Sequence, residues 1–358
     1  MPGLPRRVID SHHHFLDTRP EGNATSFQAF LATQLNDECY YLPSQYAKDV
    51  VQPLQKKGVE MVASVHVECM PDDGVQEAVW VDSLASSAKE NFTVQAIVGS
   101  CDLASPSVNE ELIELVSSTP RLRGVRWIVD CVGHFETNTA THVATTRHDG
   151  IDYLRGSHGP NTFDGQVLPA FEHGFSLLAQ HNLSFDLQCA PVQLLEAAKL
   201  CARHPKVSVC IDHLGKPRTI LGLDTPGNNS IDTVVAPDEA ELQVWRTGMK
   251  AMAAIPNVCV KLSMLGYAIP GWIKTLQRRK VLKSLVRETL EMFGPQRCMI
   301  AWNYWKNDAV SDSDFLSEVG PSPVEYLEFI CECLEGYSEE DRDAVFYGTA
   351  KRFYRITI

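Results

Sequence analysis

The chain has 358 residues, of which 44% are hydrophobic, and its formal net charge is −13. A chain of this length and apolar content can bury a large core, either as one α/β barrel or as two domains. The acidic balance argues against a nucleic-acid partner, because binding to phosphates needs a basic surface.

The sequence indicates a soluble, cytoplasmic protein. Arg6 and Arg7 near the start are not followed by an apolar segment, and no run of about 18 uncharged apolar residues occurs that would predict a membrane span. Many of the eleven cysteines lie inside apolar runs, and none forms a CxxC pair. We therefore expect reduced core cysteines rather than disulfides or a zinc cluster.

The stretch Val8–Phe15 joins a short apolar run to three consecutive histidines, His12, His13 and His14. The apolar run predicts a buried strand. Because side chains alternate along a strand, His12 and His14 should point to one face and His13 to the other. Two imidazoles at the end of a buried strand can converge on one metal ion, water or substrate oxygen. A histidine tag, the alternative, would be longer and would lie outside the apolar pattern.

Strand-like and helical runs then alternate to the end of the chain. Further strands are predicted at about 59–68, 93–99, 124–129, 184–189, 207–213, 258–264 and 298–302. Helices are predicted at about 44–57, 75–91, 109–118, 168–180, 192–203, 238–254, 281–293, 323–335 and 338–346. Eight such units most simply close as a (β/α)8 TIM-like barrel. A doubly wound open sheet is the alternative, but no GxGxxG follows the first strand to support it.

Three polar segments interrupt this rhythm, at about 130–164, 218–237 and 305–322. Each follows a predicted strand, which places it at the C-terminal face of the barrel. The first contains four histidines, and we interpret it as a lid over the strand ends, although scattered loop histidines are usually solvated. We therefore treat 1–358 as a single barrel domain with three loop insertions.

Polar residues stand at the predicted C-terminal ends of most strands, which is where TIM-barrel active sites form. No rule of core packing places polar residues at so many strand ends, so we expect them to line one pocket. They are His12, His14, His66, Glu68, Arg126, Trp127, Gln188, Asp212, His213, Lys261, Ser263 and Asn303.

Several of these residues lie in motifs that resemble the metal-dependent hydrolase (amidohydrolase) superfamily. The motifs are Asp10-x-His12-x-His14, His66-Val67-Glu68, Gly124-Val125-Arg126, Asp212-His213-Leu214-Gly215-Lys216-Pro217 and Lys261-Leu262-Ser263. The most similar branch is the amidohydrolase-related group of sugar lactonases and 2-pyrone-4,6-dicarboxylate lactonase. The resemblance spans essentially the whole chain and implies a distorted (β/α)8 barrel that opens lactones. A related branch contains decarboxylases.

The resemblance also implies roles for the histidines. His12 and His14 would line the metal or oxyanion position, and His213 would act beside it. Gln188 stands where the family has a fifth-strand histidine, and an amide is a poor ligand for a transition metal. Two alternatives therefore stay open: one divalent ion such as zinc held by His12 and His14, or metal-independent action.

The eighth predicted strand departs from the family. Where the family commonly has Gly-Ser-Asp-Trp-Pro, this chain has Ala301-Trp302-Asn303-Tyr304-Trp305. An aspartate there would be the general base, but an amide cannot take up a proton near neutral pH. Either Asp308, later in the same loop, or His213 would then serve as the base.

Other strand-end residues have two interpretations each. Arg126 is either a clamp for a substrate carboxylate or the partner of a neighbouring acid. Glu68 contacts either a substrate hydroxyl or a histidine. Lys261 contacts either the substrate or Glu68, and Asp212 should point away from His213 if both lie on the strand. Besides Glu68, Arg126 and Lys261, we expect substrate contacts from Trp127, Gln188 and Asn303.

Three functions remain open for a small-molecule substrate. The first is hydrolysis of a lactone of a small carboxylated or sugar-like compound. The second is metal-dependent decarboxylation of an aromatic or unsaturated acid, in which loss of the eighth-strand aspartate matters less. The third is a catalytically altered barrel that only binds a ligand. The sequence gives no prediction of oligomeric state.

Overall fold

The computed structural model describes residues 3–22, 26–35, 39–87, 94–131, 151–156, 165–217, 237–269, 272–273, 275–303 and 321–358. Eight parallel strands form one sheet, and each strand pairs with the next one along the chain. The strands are β1 (Arg7–His13), β2 (Glu60–Val67), β3 (Val94–Ser100), β4 (Leu122–Arg126), β5 (Ser184–Leu187), β6 (Val209–Ile211), β7 (Val258–Leu262) and β8 (Cys298–Ile300). The sheet is a nearly closed (β/α)8 barrel, which confirms the predicted fold.

Hydrogen bonds between β8 and β1 bring the two ends of the sheet together. Ser11 Oγ donates to the carbonyl oxygen of Ile300 at 2.7 Å. The backbone nitrogen of Asn303 donates to the carbonyl oxygen of His12, also at 2.7 Å. These bonds hold the end of the last strand against the histidine stretch of the first.

Helices connect the strands and cover the outside of the barrel. The main helices are Ala29–Leu35, Gly74–Ser87, Val108–Ser118, Pro169–Leu177, Leu194–Arg203, Glu239–Ala253, Leu265–Ala268, Leu276–Phe293 and Pro323–Cys333. Two helices contain a π-helical turn, in the runs Pro43–Tyr46, Ala47–Val51, Gln52–Gln55 and Glu339–Asp343, Ala344–Gly348, Thr349–Phe353. Short 3-10 turns are Pro191–Gln193, His213–Gly215 and Pro295–Arg297, and the strands Leu16–Asp17 and Tyr40–Tyr41 form a separate antiparallel pair.

The strands are buried on both faces, so side chains from alternate positions pack in two different places. On β7, Val258 and Val260 pack against the helices, whereas Cys259 and Lys261 lie inside the barrel. The cluster inside the barrel also contains the C-terminal segment of the chain. Its buried members are Ile9, Ala63, Val65, Val67, Ala96, Val98, Cys210, Cys259, Met299, Tyr347, Ala350, Phe353, Tyr354 and Ile356.

Some predicted boundaries differ from the structure. The fourth strand ends at Arg126 rather than at 129, because the chain leaves the β3–β4 ladder there and Val129 donates its backbone N–H to Gln188 O. The helix predicted from 281 begins at Leu276, where the Thr275 side chain caps it by accepting from Arg278 N at 3.2 Å. The last helical run continues past 346 to Phe353, and this extension fills the barrel interior.

All eleven cysteines lie in the described part of the chain, all are buried, and no disulfide joins them, as predicted. Within the same residues, no helix has the length and apolar character needed to cross a membrane. Most of the three predicted insertions, including Asp308, lies outside the described residues.

Candidate active site

A β-bulge on β1 sets the direction of the first site histidine. Two residues separate Asp10 and His13 on β1, whereas one residue separates their partners on β2, Ser64 and His66. A bulge of this kind re-aims side chains and is common beside active sites. Here it leaves His12 inside the barrel and His13 outside, where His13 Nε2 lies 3.0 Å from Ser64 Oγ.

Three imidazoles meet at the C-terminal end of the barrel. The ring of His12 lies 4.9 Å from that of His14 and 4.8 Å from that of His213, measured between centroids. All three residues are buried. The structure therefore brings together the paired histidines of β1 and the histidine that precedes Leu214. His66, by contrast, accepts a hydrogen bond from Phe15 N at 3.2 Å and stacks on the Phe15 ring outside this group.

A tight turn after β6 carries two site residues. The strand ends at Ile211, and His213 and Leu214 have φ values of 53° and 58°. Trp245 Nε1 donates to Leu214 O at 2.9 Å and holds the turn in place. The prediction that Asp212 points away from His213 applied only if both residues lie on the strand, and the strand ends before either of them. Asp212 Oδ1 lies 3.5 Å from His12 Nδ1, inside the site.

All three guanidinium nitrogens of Arg126 donate hydrogen bonds to other residues of the site. Its Nε donates to Glu68 Oε1 and its Nη2 to Glu68 O, both at 2.6 Å. Its Nη1 donates to Gln188 Oε1 at 3.2 Å and lies 3.4 Å from Asp212 Oδ2 and 3.3 Å from His12 Nε2. Of the two interpretations of Arg126 made from the sequence, the structure contains the ion pair with a strand-end acid, which is Glu68. Glu68 accordingly faces Arg126 rather than a histidine.

Lys261 lies between two carboxylates at the centre of the barrel. Its Nζ lies 2.5 Å from Asp186 Oδ2, 2.9 Å from Asp212 Oδ1 and 3.1 Å from His12 Nδ1. Tyr354 of the C-terminal segment donates to the same Asp186 oxygen at 2.8 Å. Lys261 is thus paired with Asp186 and Asp212, not with Glu68.

Two other predicted substrate contacts lie near Arg126. Gln188 is 2% exposed, and its Nε2 has no hydrogen-bond partner among the described residues, although its Oε1 accepts from Arg126. Trp127 directly follows β4 and packs, partly buried, against the hydrophobic cluster between the strands and helices. Gln188 therefore carries an unpaired buried donor at the site, an uncommon feature in folded proteins.

Asn303, which replaces the family's aspartate, contacts His14. His14 Nδ1 donates to Val67 O at 2.8 Å, and its Nε2 lies 3.0 Å from Asn303 at the atom assigned Oδ1. A neutral ring that donates from Nδ1 accepts at Nε2, so the amide satisfies it with its NH2 end, which a 180° rotation of the amide places there. Asn303 also has a φ of 57°, which asparagine and aspartate tolerate better than most residues.

Burial keeps the site histidines neutral. It lowers the pKa of His12 and of His213 well below 6.5, with the Lys261 ammonium adding to the effect at His12 and Arg126 at His213. It lowers the pKa of His14 to about 3, and Arg126 contributes there as well. The same burial raises the pKa of Asp186 to about 6, whereas Lys261 and His12 hold the pKa of Asp212 below its usual value. The site thus combines neutral imidazoles with two permanent cations.

The sequence interpretation did not single out Asp186 or Tyr354. Asp186 interrupts an apolar strand and shares a face of β5 with Gln188, so strand alternation alone could have identified it. Tyr354 lies in the C-terminal helical segment, and nothing local in the sequence indicates that this segment enters the barrel. Ser263, by contrast, stood among the strand-end residues, and its Oγ lies 3.0 Å from His213 Nδ1.

His12, Asp212 and His213 are a group that could hold a metal ion, with donor atoms within 4.8 Å of one another. Two imidazoles and a carboxylate are a suitable donor set for zinc. Their surroundings do not fit an added dication, however. Both nitrogens of His12 and both oxygens of Asp212 already lie within 3.4 Å of the Lys261 ammonium or the Arg126 guanidinium. A metal ion would have to displace or sit against these two buried cations.

Comparison with known proteins gives the family. The amidohydrolase family model matches residues 9–356, and the chain belongs to this family. An L-fucono-1,5-lactonase of Burkholderia multivorans is 24% identical over 350 residues, which cover 97% of this chain and 96% of that protein.

Solved structures show the same fold. An amidohydrolase from Burkholderia multivorans with bound zinc aligns with a TM-score of 0.65 at 22% identity, over 98% of this chain and 99% of that one. A putative 2-pyrone-4,6-dicarboxylic acid hydrolase from Pseudomonas putida aligns with a TM-score of 0.59 at 15% identity, over 99% of this chain and all of that one. The resemblance in sequence motifs therefore extends to the whole barrel.

Proposed function

We propose that this protein hydrolyses a lactone of a small carboxylated or sugar-like substrate, using its own side chains rather than a bound metal ion. The observation that carries the proposal is the group formed by the donors Arg126 and Gln188 beside the neutral imidazole of His213. Hydrolysis of a cyclic ester needs donors for the carbonyl oxygen as it becomes negative, and a base that takes a proton from water. This group contains both.

The carbonyl oxygen would lie beside the two donors. Arg126 Nη1 lies 3.3 Å from His12 Nε2, where the guanidinium can only donate, and a substrate oxygen would replace this ring nitrogen as its acceptor. Gln188 Nε2 is buried and lacks a partner among the described residues, so a substrate oxygen is its proposed acceptor. Donors fixed in a buried site stabilise a developing oxyanion more strongly than water does.

His213 is the proposed base. Its low pKa keeps the ring neutral at pH 7, and Ser263 Oγ can accept from Nδ1–H, which leaves the lone pair on Nε2. Nε2 would remove a proton from water as the water oxygen attacks the lactone carbonyl. The same proton would then pass to the ring oxygen as the carbon–oxygen bond breaks, which gives the open hydroxy acid. Asp308 is the alternative base and is tested beside His213 below.

The nature of the substrate is proposed from the relatives. The curated relative named L-fucono-1,5-lactonase matches nearly the whole length of this chain. At 24% identity it supports a cyclic ester as the reacting group without fixing the remaining substituents. Polar side chains line the site on most strands, which suits a substrate with several hydroxyl or carboxyl groups.

The test is ring opening by the purified protein of L-fucono-1,5-lactone, related aldono-1,5-lactones and 2-pyrone-4,6-dicarboxylate. Acid release is followed at neutral pH, with one sample treated with a chelator and one supplemented with zinc. We expect hydrolysis of at least one compound at a rate that chelation leaves unchanged. Absence of ring opening with every compound contradicts lactone hydrolysis, and carbon dioxide release from an aromatic acid would instead favour a lyase. Loss of activity on chelation contradicts the metal-free mechanism.

Three variants identify the base. His213→Asn should lower kcat by about 10²–10⁴-fold, as loss of a general base does, whereas Asp308→Asn should retain most of the activity. The reverse result assigns the base to Asp308. His173→Asn changes an exposed helical histidine and serves as the control, with an unchanged rate expected.

A further inference from the structure

A cavity of about 320 Å³ lies at the N-terminal end of the barrel, on the face opposite the candidate active site. The turns that precede β4 and β5, the start of β4 and the C-terminal segment of the chain line this cavity. In the part of the chain that the structure describes, none of the lining residues is acidic, although the formal net charge of the protein is −13. The polar lining residues are Thr119, Arg123, His181, Asn182 and Arg355.

Backbone carbonyl oxygens, rather than carboxylates, hold the two arginines of this cavity. Arg123 Nη1 donates to Leu122 O at 2.8 Å and to Pro120 O at 3.0 Å. Arg355 Nη2 donates to Arg123 O at 2.6 Å, and its Nη1 donates to Phe353 O at 3.4 Å. Among the described residues, neither guanidinium forms an ion pair with a carboxylate. The carbonyl oxygens fix the position of each side chain but do not neutralise its charge.

The two guanidinium groups also repel each other. Burial lowers the pKa of Arg123 and of Arg355, with Arg121 adding to the effect at Arg123 and Arg123 adding to it at Arg355. Both arginines stay protonated near neutral pH, since the guanidinium group does not lose its proton in proteins. Arg121 already has a partner, Asp82, at 3.0 Å. An anion that bound between Arg123 and Arg355 would therefore supply a missing counter-charge and stabilise the folded protein.

Two other polar groups of the cavity wall can contribute donors. Thr119 is 1% exposed, and its Oγ1 has no hydrogen-bond partner among the described residues. The same holds for Nε2 of His181, which is partly buried. Buried polar atoms without partners are uncommon in folded proteins. A hydroxyl group and an imidazole N–H can both donate to the oxygen of an anion.

We propose that this cavity binds a phosphoryl group, carried either by free phosphate or by a small phosphate ester. Guanidinium groups bind phosphate oxygens through two parallel hydrogen bonds. A phosphoryl group has a charge of about −1.5 to −2 near pH 7, which balances two arginines, whereas a carboxylate balances only one. The volume of the cavity lies near the lower end of the range for small-molecule sites, so an ester can fit as well as the free ion. The proposal is independent of lactone hydrolysis.

The test is titration of the purified full-length protein with inorganic phosphate, followed by calorimetry at constant ionic strength because salt screens charges. We expect one phosphate to bind per chain, with a dissociation constant of about 1 mM or tighter. Arg123→Gln and Arg355→Gln should each weaken binding by at least about tenfold, because each removes a charge-assisted contact. Absence of binding by the native protein overturns the proposal. Undiminished binding by either variant also overturns it, because the phosphate then occupies another site, such as that of Arg126 and Lys261.

The matched control is Arg297→Gln. Arg297 is also partly buried, does not line the cavity, and donates to the carbonyl oxygens of Ala253, Ile255, Val258 and Phe293. Its phosphate affinity should match that of the native protein. An equal loss of affinity in this variant would show that binding depends on total charge or on stability, and would overturn the proposal.

A variant that does not fold cannot bind, so circular dichroism checks the fold of each one. Arg355→Lys keeps the positive charge and a donor for Arg123 O, so we expect it to fold. It loses the planar fork that contacts two phosphate oxygens, and its affinity for phosphate should be about three- to tenfold lower. Native affinity in the folded Arg355→Lys variant would contradict recognition of the phosphoryl group by this guanidinium.

Two further titrations of the native protein test the chemistry of the ligand. Acetate has a single charge and should bind at least about tenfold more weakly than phosphate, and equal binding would overturn the assignment to a phosphoryl group. Glycerol 3-phosphate distinguishes the two sources of that group. Tighter binding than phosphate supports the proposal with an ester as the ligand, and weaker binding supports it with the free ion.

Discussion

The two faces of the histidine stretch on β1 are equally buried but have different neighbours. His12, on the inner face, contacts Lys261 and Arg126 and lies near Asp212. His13, on the outer face, is close to Ser64 Oγ and packs against the ring of Tyr46 at 4.6 Å. Burial lowers the pKa of both well below 6.5. A depressed histidine pKa therefore does not by itself identify a site; the fixed charges around the ring do.

The largest expected effect separates these two residues. His12→Asn removes the ring that contacts Arg126 Nη1 at the proposed oxyanion position, and it should lower kcat by about 10²–10³-fold, the cost of losing one oxyanion donor. His13→Asn removes a ring that packs outside the barrel, so it should lower the free energy of unfolding while kcat stays within about threefold. Kinetics on the best lactone and chemical denaturation measure the two effects. Similar losses of kcat in both variants would show that the inner face has no special role.

The second prediction concerns the charges that distinguish the inner face. Arg126→Met leaves Glu68 buried without its ion-pair partner and should lower the free energy of unfolding by about 3–5 kcal/mol. Arg126→Met/Glu68→Gln should recover part of the loss. Arg7→Met breaks an ion pair with Asp343 whose side chains are both 47% exposed, and should cost less than about 1 kcal/mol. Chemical denaturation of the variants checks the order, and equal costs at the two sites would contradict it.

The sequence predicted most of the barrel and several of the residues that meet at its mouth, although His66 and Trp127 pack elsewhere. Eight alternating units and polar residues at strand ends were enough, because parallel strands bring their C-terminal ends to one face. Alternation along β1 also placed His12 and His14 together, even though a bulge lies within the strand. The bulge does not separate the two side chains, because His12 lies at the bulge and His14 follows it.

The pairing of charges could not be predicted from the sequence. Strand alternation would turn Asp212 away from His213. The chain instead turns at His213, and the positive φ of this residue leaves no signal that alternation can detect. Lys261 was considered a partner of Glu68, whereas it is held by Asp186 and by Tyr354 of the C-terminal segment. Such contacts depend on how far each side chain extends along the barrel axis, which spacing in the sequence does not determine.

The third prediction uses the pH dependence of stability. Among the residues that the structure describes, five buried histidines have pKa values below 6.5. Each takes up a proton on unfolding in acid, so the free energy of unfolding falls as the pH falls below about 6.5. They are His12, His13, His14, His66 and His213. Three buried acids oppose them, because their pKa values are raised and they keep a proton in the folded state: Asp10 to about 7, Glu77 to about 8 and Asp186 to about 6.

Between about pH 5 and 6, these groups leave a net uptake of about two protons on unfolding, and the free energy of unfolding should fall by about 3 kcal/mol per pH unit on acidification. Chemical denaturation at several pH values measures the slope. His13→Asn should reduce it by about 1.4 kcal/mol per unit, the share of one proton. A free energy of unfolding that stays constant or increases on acidification would mean that these histidines are not neutral in the folded protein.

The smallest expected effect comes from Asn303→Asp, which changes one atom at the inner face. The backbone at this position has a φ of 57°, which aspartate tolerates, so the variant should fold normally. A carboxylate beside His14 favours the imidazolium and should raise its pKa from about 3, which histidine NMR titration measures. It also places a negative charge near the proposed oxyanion position, so kcat/KM should fall by about tenfold, roughly 1.4 kcal/mol. A gain in activity would show instead that the site has lost an aspartate base, and that the neutral amide has no part in holding His14 for catalysis.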